Sequence, residues 1–182
     1  SMKVHSPTRL SGFITLIACL VFALTASADV KLPNVIGSDM VLQRDLPIPI
    51  WGWAEAGEEV SVSFAGQTKK TKVGSDGNWM VKLGALKASA NPSSLTVKGN
   101  NEIKLENILV GEVWICSGQS NMEWNIRGSM NGNEEVAASD QPLVRLFNVP
   151  GHKVSPLPKE RLAIPSKWTA CNPQTSSGFS AV

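Results

Sequence analysis

Residues 113–124 read VWICSGQSNMEW, an apolar run of Val113-Trp114-Ile115-Cys116 that breaks into two serines, a glycine and two amides before returning to Met122 and Trp124. Apolar residues without alternation are the pattern of a strand covered on both faces, as parallel strands are. Ile108-Leu109-Val110 precede the run, with only Gly111-Glu112 between, so the stretch predicts a buried strand opening a new domain at residue 109. In an open α/β sheet the carboxyl ends of the strands face the crevice where ligands bind, and a helix starting there points its free N–H groups into it. Ser120 falls at that turn. A serine hydroxyl is a poor nucleophile, so it needs a base within reach and N–H groups to hold the oxyanion formed on attack. Ser117 competes, but it precedes Gly118 and lies nearer the strand. Ser and Asn are also ordinary turn and cap residues, so on composition alone catalysis and plain capping both stay open.

Upstream, from Val30 to about Ile108, the pattern is short strands and turns with no helical periodicity. Val60-Ser61-Val62-Ser63-Phe64 alternates, Ala65-Gly66-Gln67 turns, Thr71 to Val73 is extended, Ser75-Asp76-Gly77-Asn78 turns, and Trp79 to Leu83 alternates again. Ser94–Lys98 and Glu102–Leu105 flank Gly99-Asn100-Asn101 in the same hairpin manner. Strands recurring every ten or so residues predict a small all-β sandwich over 29–108. Pro47 and Pro49 suit a sandwich edge. Trp51, Trp53 and Trp79 are core-filling aromatics on this reading, with a sugar-stacking platform as the alternative. Downstream, 133–138 reads as a short helix, 143–147 as the next strand and 150–165 as a proline-rich loop. Ser176 to Val182 rises in hydrophobicity without a polar terminus, which reads as a chain cut within a domain.

The first 28 residues have the form of a secretory signal: Lys3, His5 and Arg9, the apolar run Gly12 to Leu24, then Ala26-Ser27-Ala28 as cleavage site. The apolar run is well short of the roughly 20 residues that span a bilayer, so no stable membrane insertion is expected. Leu16-Ile17-Ala18-Cys19 has a lipobox-like form, but the apolar stretch continues past Cys19, which disfavours a lipoprotein. The chain carries 17 basic and 15 acidic residues; without Lys3 and Arg9 the balance is neutral, which gives no electrostatic reason for a nucleic-acid partner. Cys116 and Cys171 remain after processing. An oxidising compartment permits a bond between them, although a thiol in an apolar strand simply packs as a small hydrophobe, the reading preferred for Cys116. Neither cysteine has metal-site spacing.

GEVWICSGQSNMEW resembles the first block of the SGNH/GDSL hydrolases in the G-Q-S-N-M form of the sialate O-acetylesterases and related acetylxylan esterases. LPNVIGSDMVLQRDLPIPIWGWAEAGEEVSV, DGNWMVKL and WTACNPQTSSGFSAV are similar to further segments of the sialate O-acetylesterase group, the last ending in the F-S-A where the family's next helix starts. The resemblance implies a β-sandwich followed by an SGNH-type α/β/α (flavodoxin-like) hydrolase domain, here incomplete over 109–182. It implies Ser120 as nucleophile with its own N–H as oxyanion donor, Gly178 as a second oxyanion position, and Gln119 and Asn121 as substrate-binding motif positions. No cofactor and no metal are implied. The substrate implied is an O-acetylated carbohydrate, 9-O-acetyl sialic acid first and acetylated xylan second, cleaved outside the cytoplasm, either secreted or in the periplasm.

The departures concern the base. The family's histidine stands in a late D-x-x-H block, whereas this chain holds only His5 and His152, and Val149 occupies the position three before His152. His152 reads as a surface residue, and the family's oxyanion asparagine block has no counterpart. The chain is therefore expected to be the front portion of an esterase, inactive alone. The rival class is a non-catalytic secreted carbohydrate-binding module with Ser120 inert. For the signal itself, N-terminal sequencing of exported protein is expected to begin at Asp29; a lipid-modified Cys19 would contradict it.

Overall fold

Alternation along the chain decides the strands. In the computed structural model, which describes residues 29–149 and 166–182, the elements run β1 (Val41–Gln43), β2 (Ile48–Trp53), β3 (Glu59–Phe64), β4 (Gln67–Lys72), β5 (Asn78–Leu83), β6 (Ser89–Lys98), β7 (Glu102–Gly111), α1 (Gly132–Ala137), β8 (Gln141–Leu146), β9 (Thr169–Cys171) and α2 (Pro173–Ser176). The signal segment, Cys19, His152 and the proline-rich loop lie outside the described residues. Among those described, no helix is long and apolar enough to cross a membrane.

Val60, Val62 and Phe64 of β3, Trp79, Val81 and Leu83 of β5, and Ile48 and Ile50 of β2 are the inward members of alternating strands, and all are buried. They join Leu95, Val97, Leu105, Ile108 and Val110 in one core. Two sheets supply it. One is mixed and five-stranded, in the order β1-β7-β6-β3-β4; the other pairs β2 with β5. The β3–β4 hairpin closes through Ala65 and Gly66, both at positive φ (47° and 76°), the two-residue turn whose twist matches the strands. β5 then leaves β4 to pair with β2 in full register from Ile48↔Leu83 to Trp53↔Asn78. Trp79 is core, as expected. Trp51 and Trp53 alternate with Ile50 along β2 and are half-buried, and Trp51 packs against the same core.

β4 carries Gln67-Thr68-Lys69-Lys70-Thr71-Lys72 at the sheet's edge. Lys69 sits opposite Val62 in the register, on the face the core uses, yet stays exposed. A charge there prevents another strand from docking on the open edge.

β7 departs from simple alternation. Leu105 pairs with Leu95 but Ile108 pairs with Ser93, so β7 has one residue more than β6 between these rungs. Asn107 takes φ 58° within this bulge, and Ile108, Leu109 and Val110 are all buried beyond it. That much of the expected doubly covered strand is present, but it belongs to the first sheet. β7 continues through the expected boundary at residue 108 to Gly111, parallel to β1 from Val41↔Leu109 to Gln43↔Gly111.

The expected continuation, Val113 to Cys116, is not a strand. Residues 112–118 carry no regular structure, and Trp114 and Ile115 are 84% and 93% exposed. A parallel strand needs neighbours on both sides to take its backbone hydrogen bonds, and among the described residues none pairs with this segment. Cys116 is correspondingly exposed rather than packed, and both Cys116 and Cys171 are free thiols.

Two anchors return the chain beyond this open segment to the β-sheets. Arg145 of β8, its side chain only 5% exposed, donates from Nη1 to Asp39 Oδ1 (3.2 Å) and from Nη2 to Asn107 Oδ1 (3.3 Å), while Asn107 Nδ2 donates to Asp39 Oδ1 (2.5 Å). Trp168, packed against Phe147 with centroids 5.2 Å apart, donates from Nε1 to the Val35 carbonyl (2.8 Å). Arg145→Ala removes two charge-assisted bonds, a loss of about 2 kcal/mol that falls on the attachment of β8 and β9. Limited proteolysis is expected to cut the variant sooner after residue 112 while the fragment containing β1 to β7 stays resistant. Equal cleavage on both sides of residue 112 would show that Arg145 serves the whole chain instead.

Candidate active site

The path to Ser120 begins with a clamp on the end of β7. Arg44 N–H donates to the Gly111 carbonyl (2.9 Å) and Val113 N–H to Gln43 Oε1 (2.9 Å). Gln43 Nε2 and Arg44 Nε then donate to the two oxygens of Glu112, at 3.1 and 2.5 Å. These bonds, Gln43's first and Arg44's second, hold the Glu112 carboxyl below the ordinary glutamate range. Past Val113 the chain is exposed up to Gly118.

Gln119 is extended (φ −119°, ψ −152°) and precedes a 3-10 turn, Ser120–Glu123. Ser120 therefore opens a short helical turn, as expected, but comes after an unpaired segment rather than a strand end. Met122 N–H donates to the Gln119 carbonyl (2.8 Å) and Trp124 N–H to that of Asn121 (3.0 Å). Ser120, Gln119 and Asn121 are all exposed, and among the described residues Ser120 Oγ has no hydrogen-bond partner. The first N–H groups of a helical turn have no acceptor within it, so those at Ser120 face outward unspent.

A second 3-10 turn, Ile126–Gly128, is capped by Asn125, whose Oδ1 accepts from Gly128 N–H (2.9 Å), and the Trp124 indole Nε1 donates to the Gly128 carbonyl (3.0 Å). α1 then starts so close behind that a Cβ on Gly132 would collide with the Ile126 carbonyl oxygen, which reserves the position for glycine. α1 matches the helix expected over Asn133 to Ala138 within a residue.

Gly178 reaches this region from the other end of the chain. Asn172 Oδ1 caps α2 by accepting from Gln174 and Thr175 N–H, and Thr175 Oγ1 accepts from Asn172 N–H in return. The chain after α2 runs antiparallel to the segment after Ser120. Ile126 N–H donates to the Phe179 carbonyl (3.0 Å), Arg127 N–H to that of Ser177 (3.4 Å), and Ala181 N–H to that of Trp124 (2.8 Å). Phe179-Ser180-Ala181 thus forms this pairing rather than the expected helix start. Gly178 sits between two bonded residues, with nothing within 4 Å of where its Cβ would be. It lines a cavity of about 350 Å³ with Leu146, Thr169, Gln174, Thr175 and Phe179, to which Ser120 does not contribute.

The fold thus joins the Ser120 turn to the Gly178 segment and, among the described residues, supplies no histidine there. The chain's histidines, His5 and His152, lie outside the described residues. Burial, and secondarily Asp140, raises the Cys171 thiol pKa, which disfavours the thiolate. Sequence reasoning misses the Gln43–Arg44–Glu112 clamp, because polar side chains meeting across 68–70 positions leave no local pattern; it also misses the Trp124 bond to Gly128, a contact only four residues along the chain. In a carbon-detected NMR titration, Glu112 is expected to have its midpoint below 4.5, rising toward that value in Gln43→Ala. The clamp's contribution is fully present above the ordinary glutamate pKa and is lost as pH falls through the depressed one. A midpoint at or above 4.5 in the unaltered chain would contradict the clamp.

No family model matches the chain. It is 30% identical over 156 residues to the sialate O-acetylesterase of Mus musculus, covering 79% of this chain and 29% of that protein. To the sialate O-acetylesterase of Homo sapiens it is 27% identical over 158 residues, covering 80% and 30%. A solved carbohydrate acetylesterase from Xanthomonas citri superposes with a TM-score of 0.79 at 36% identity, over 84% of this chain and 35% of that one. The chain therefore spans 29% to 30% of the length of these curated relatives.

Proposed function

This chain is homologous to the sialate O-acetylesterases over 79% of its length, and from that kinship we propose that it carries the nucleophile of an exported carbohydrate O-acetylesterase. On this reading the strands up to Gly111 are a β-sandwich domain, and the residues after it are the first part of an SGNH-type α/β/α hydrolase domain. Val113 to Cys116 becomes a central parallel strand once neighbours flank it. The heavy exposure of Trp114 and Ile115 supports this, because apolar side chains of that size are ordinarily covered.

Ser120 Oγ attacks the acetyl carbonyl while a base takes its proton, and the oxyanion is held by the Ser120 N–H and by a second donor at Gly178. The sugar oxygen leaves with that proton, giving an acetyl-enzyme. Water, deprotonated by the same base, then releases acetate and restores the serine. Gln119 and Asn121 flank the nucleophile and contact substrate. The base and its orienting carboxylate belong to parts of the whole protein outside this chain; the relatives' greater length leaves room for them. The observation that carries the reading is Ser120 itself: exposed, at the head of a turn with unspent N–H groups, within a homologous segment.

The acetyl donor is a 9-O-acetylated sialic acid. Acetylated xylan is the second reading; the solved neighbour, described as a carbohydrate acetylesterase, is compatible with either sugar. Ser120→Ala in the whole protein is expected to abolish release of acetate from 9-O-acetyl sialic acid. The 182-residue chain is expected to hydrolyse neither this nor p-nitrophenyl acetate, because triad members act as a unit. Ester cleavage by the isolated chain that disappears in Ser120→Ala would place a base within it, with His152 the first candidate.

A further inference from the structure

Exposed tryptophans differ in how they are held. Trp114 stands on a backbone segment without regular structure. Trp124 is 60% exposed, yet its N–H donates to Asn121, its carbonyl accepts from Ala181 and its indole Nε1 donates to Gly128. A large apolar ring is thus presented to solvent with its backbone tied at both ends and its polar edge already bonded. The Gly128 carbonyl that takes the indole is itself set by the Asn125 cap on the same turn. Ordering a free side chain at the moment of binding costs free energy, and here that cost is met within the turn.

We infer that Trp124 is the sugar platform of the esterase site, stacking on the ring of the O-acetylated carbohydrate whose acetyl group reaches Ser120; this rests on the function proposed above. A pyranose has a face of C–H bonds whose hydrogens carry slight positive charge, and the face of an indole is the negative side of its quadrupole. A 3-10 turn rises about 2 Å per residue, so the four positions from Ser120 to Trp124 separate their backbones by about 8 Å, the scale of one sugar unit. Trp124 therefore determines whether the alcohol part of the ester is a ring, and leaves the acetyl chemistry to Ser120.

The test uses the whole protein and two esters with the same acyl group, an O-acetylated methyl glycoside and ethyl acetate, which has no ring to stack. Trp124→Ala is expected to raise KM for the glycoside about tenfold, the loss of one aromatic contact, and to leave kcat/KM for ethyl acetate within about twofold. Trp124→Phe, which keeps a ring but not the bond to Gly128, is expected to fall between. Parallel loss on both esters would make Trp124 a structural residue and overturn the inference, as would no change on either. If the unaltered protein cleaves neither ester, or Ser120→Ala cleaves both as well as the unaltered protein, the esterase reading itself fails and this one falls with it.

Discussion

The part of the chain after Glu112 depends on one irregularity in a strand. Placing Asn107 at positive φ costs a non-glycine residue free energy, least for Asn and Asp, whose short polar side chains find local partners. Asn107 finds two, Asp39 and Arg145, and Asp39 is itself at φ 66°. The bulge and the Ser38–Asp39 turn meet through Asp39 N–H donating to the Glu106 carbonyl and Glu106 N–H to Ser38 Oγ. Two strained residues from distant parts of the chain thus build a receptor for a single buried guanidinium. That guanidinium fixes β8, β8 pairs with β9, β9 leads to α2, and the chain beyond α2 pairs with the segment after Ser120. The pairing of the Gly178 segment with the residues after Ser120 is therefore tied, through these steps, to a bulge in the first sheet.

How much of this was legible in the sequence depends on the range of the interactions. Alternation in 60–64 and 79–83 marks β3 and β5, and the turn signals mark both hairpin loops, because each rests on neighbours along the chain. Which strands share a sheet does not emerge from local pattern, and β5 pairs with β2 rather than with its sequence neighbour β4. β7 runs across residue 109 to Gly111, which the apolar triplet does not reveal, because it looks the same whether a second layer or a bulge makes it buried. Val113 to Cys116 shows the limit most clearly, since its composition describes an environment that the described residues do not supply. The motif marks Ser120 and its turn, whereas Arg145 and Glu112 act through partners that no local spacing reveals.

The candidate site combines stiffness and looseness in a definite order. Behind Ser120, the two 3-10 turns, the Asn125 cap, the Gly132 contact and the strand-like pairing with 177–181 leave few free backbone groups. Ahead of it, residues 114–118 are open to solvent between the Glu112 clamp and the turn. On the function proposed above, a nucleophile is best carried on rigid backbone, and the hydrogen-bonded backbone near Ser120 lies C-terminal to it.

β1 also bears on the order in which the chain folds. It pairs parallel to β7, and nothing in that pair can form until almost the whole first body has left the ribosome, because Val41 must wait for Leu109. Contacts so distant in sequence close slowly, and every strand between them is held in unfinished company meanwhile. The lysines on β4 are placed at the edge that stays open during that interval, so they guard against association of half-made chains as well as finished ones. Gln43 and Arg44, at the end of β1, reach Glu112 only after β1 has docked. The start of the Ser120 segment is therefore secured by a strand made some 70 residues earlier.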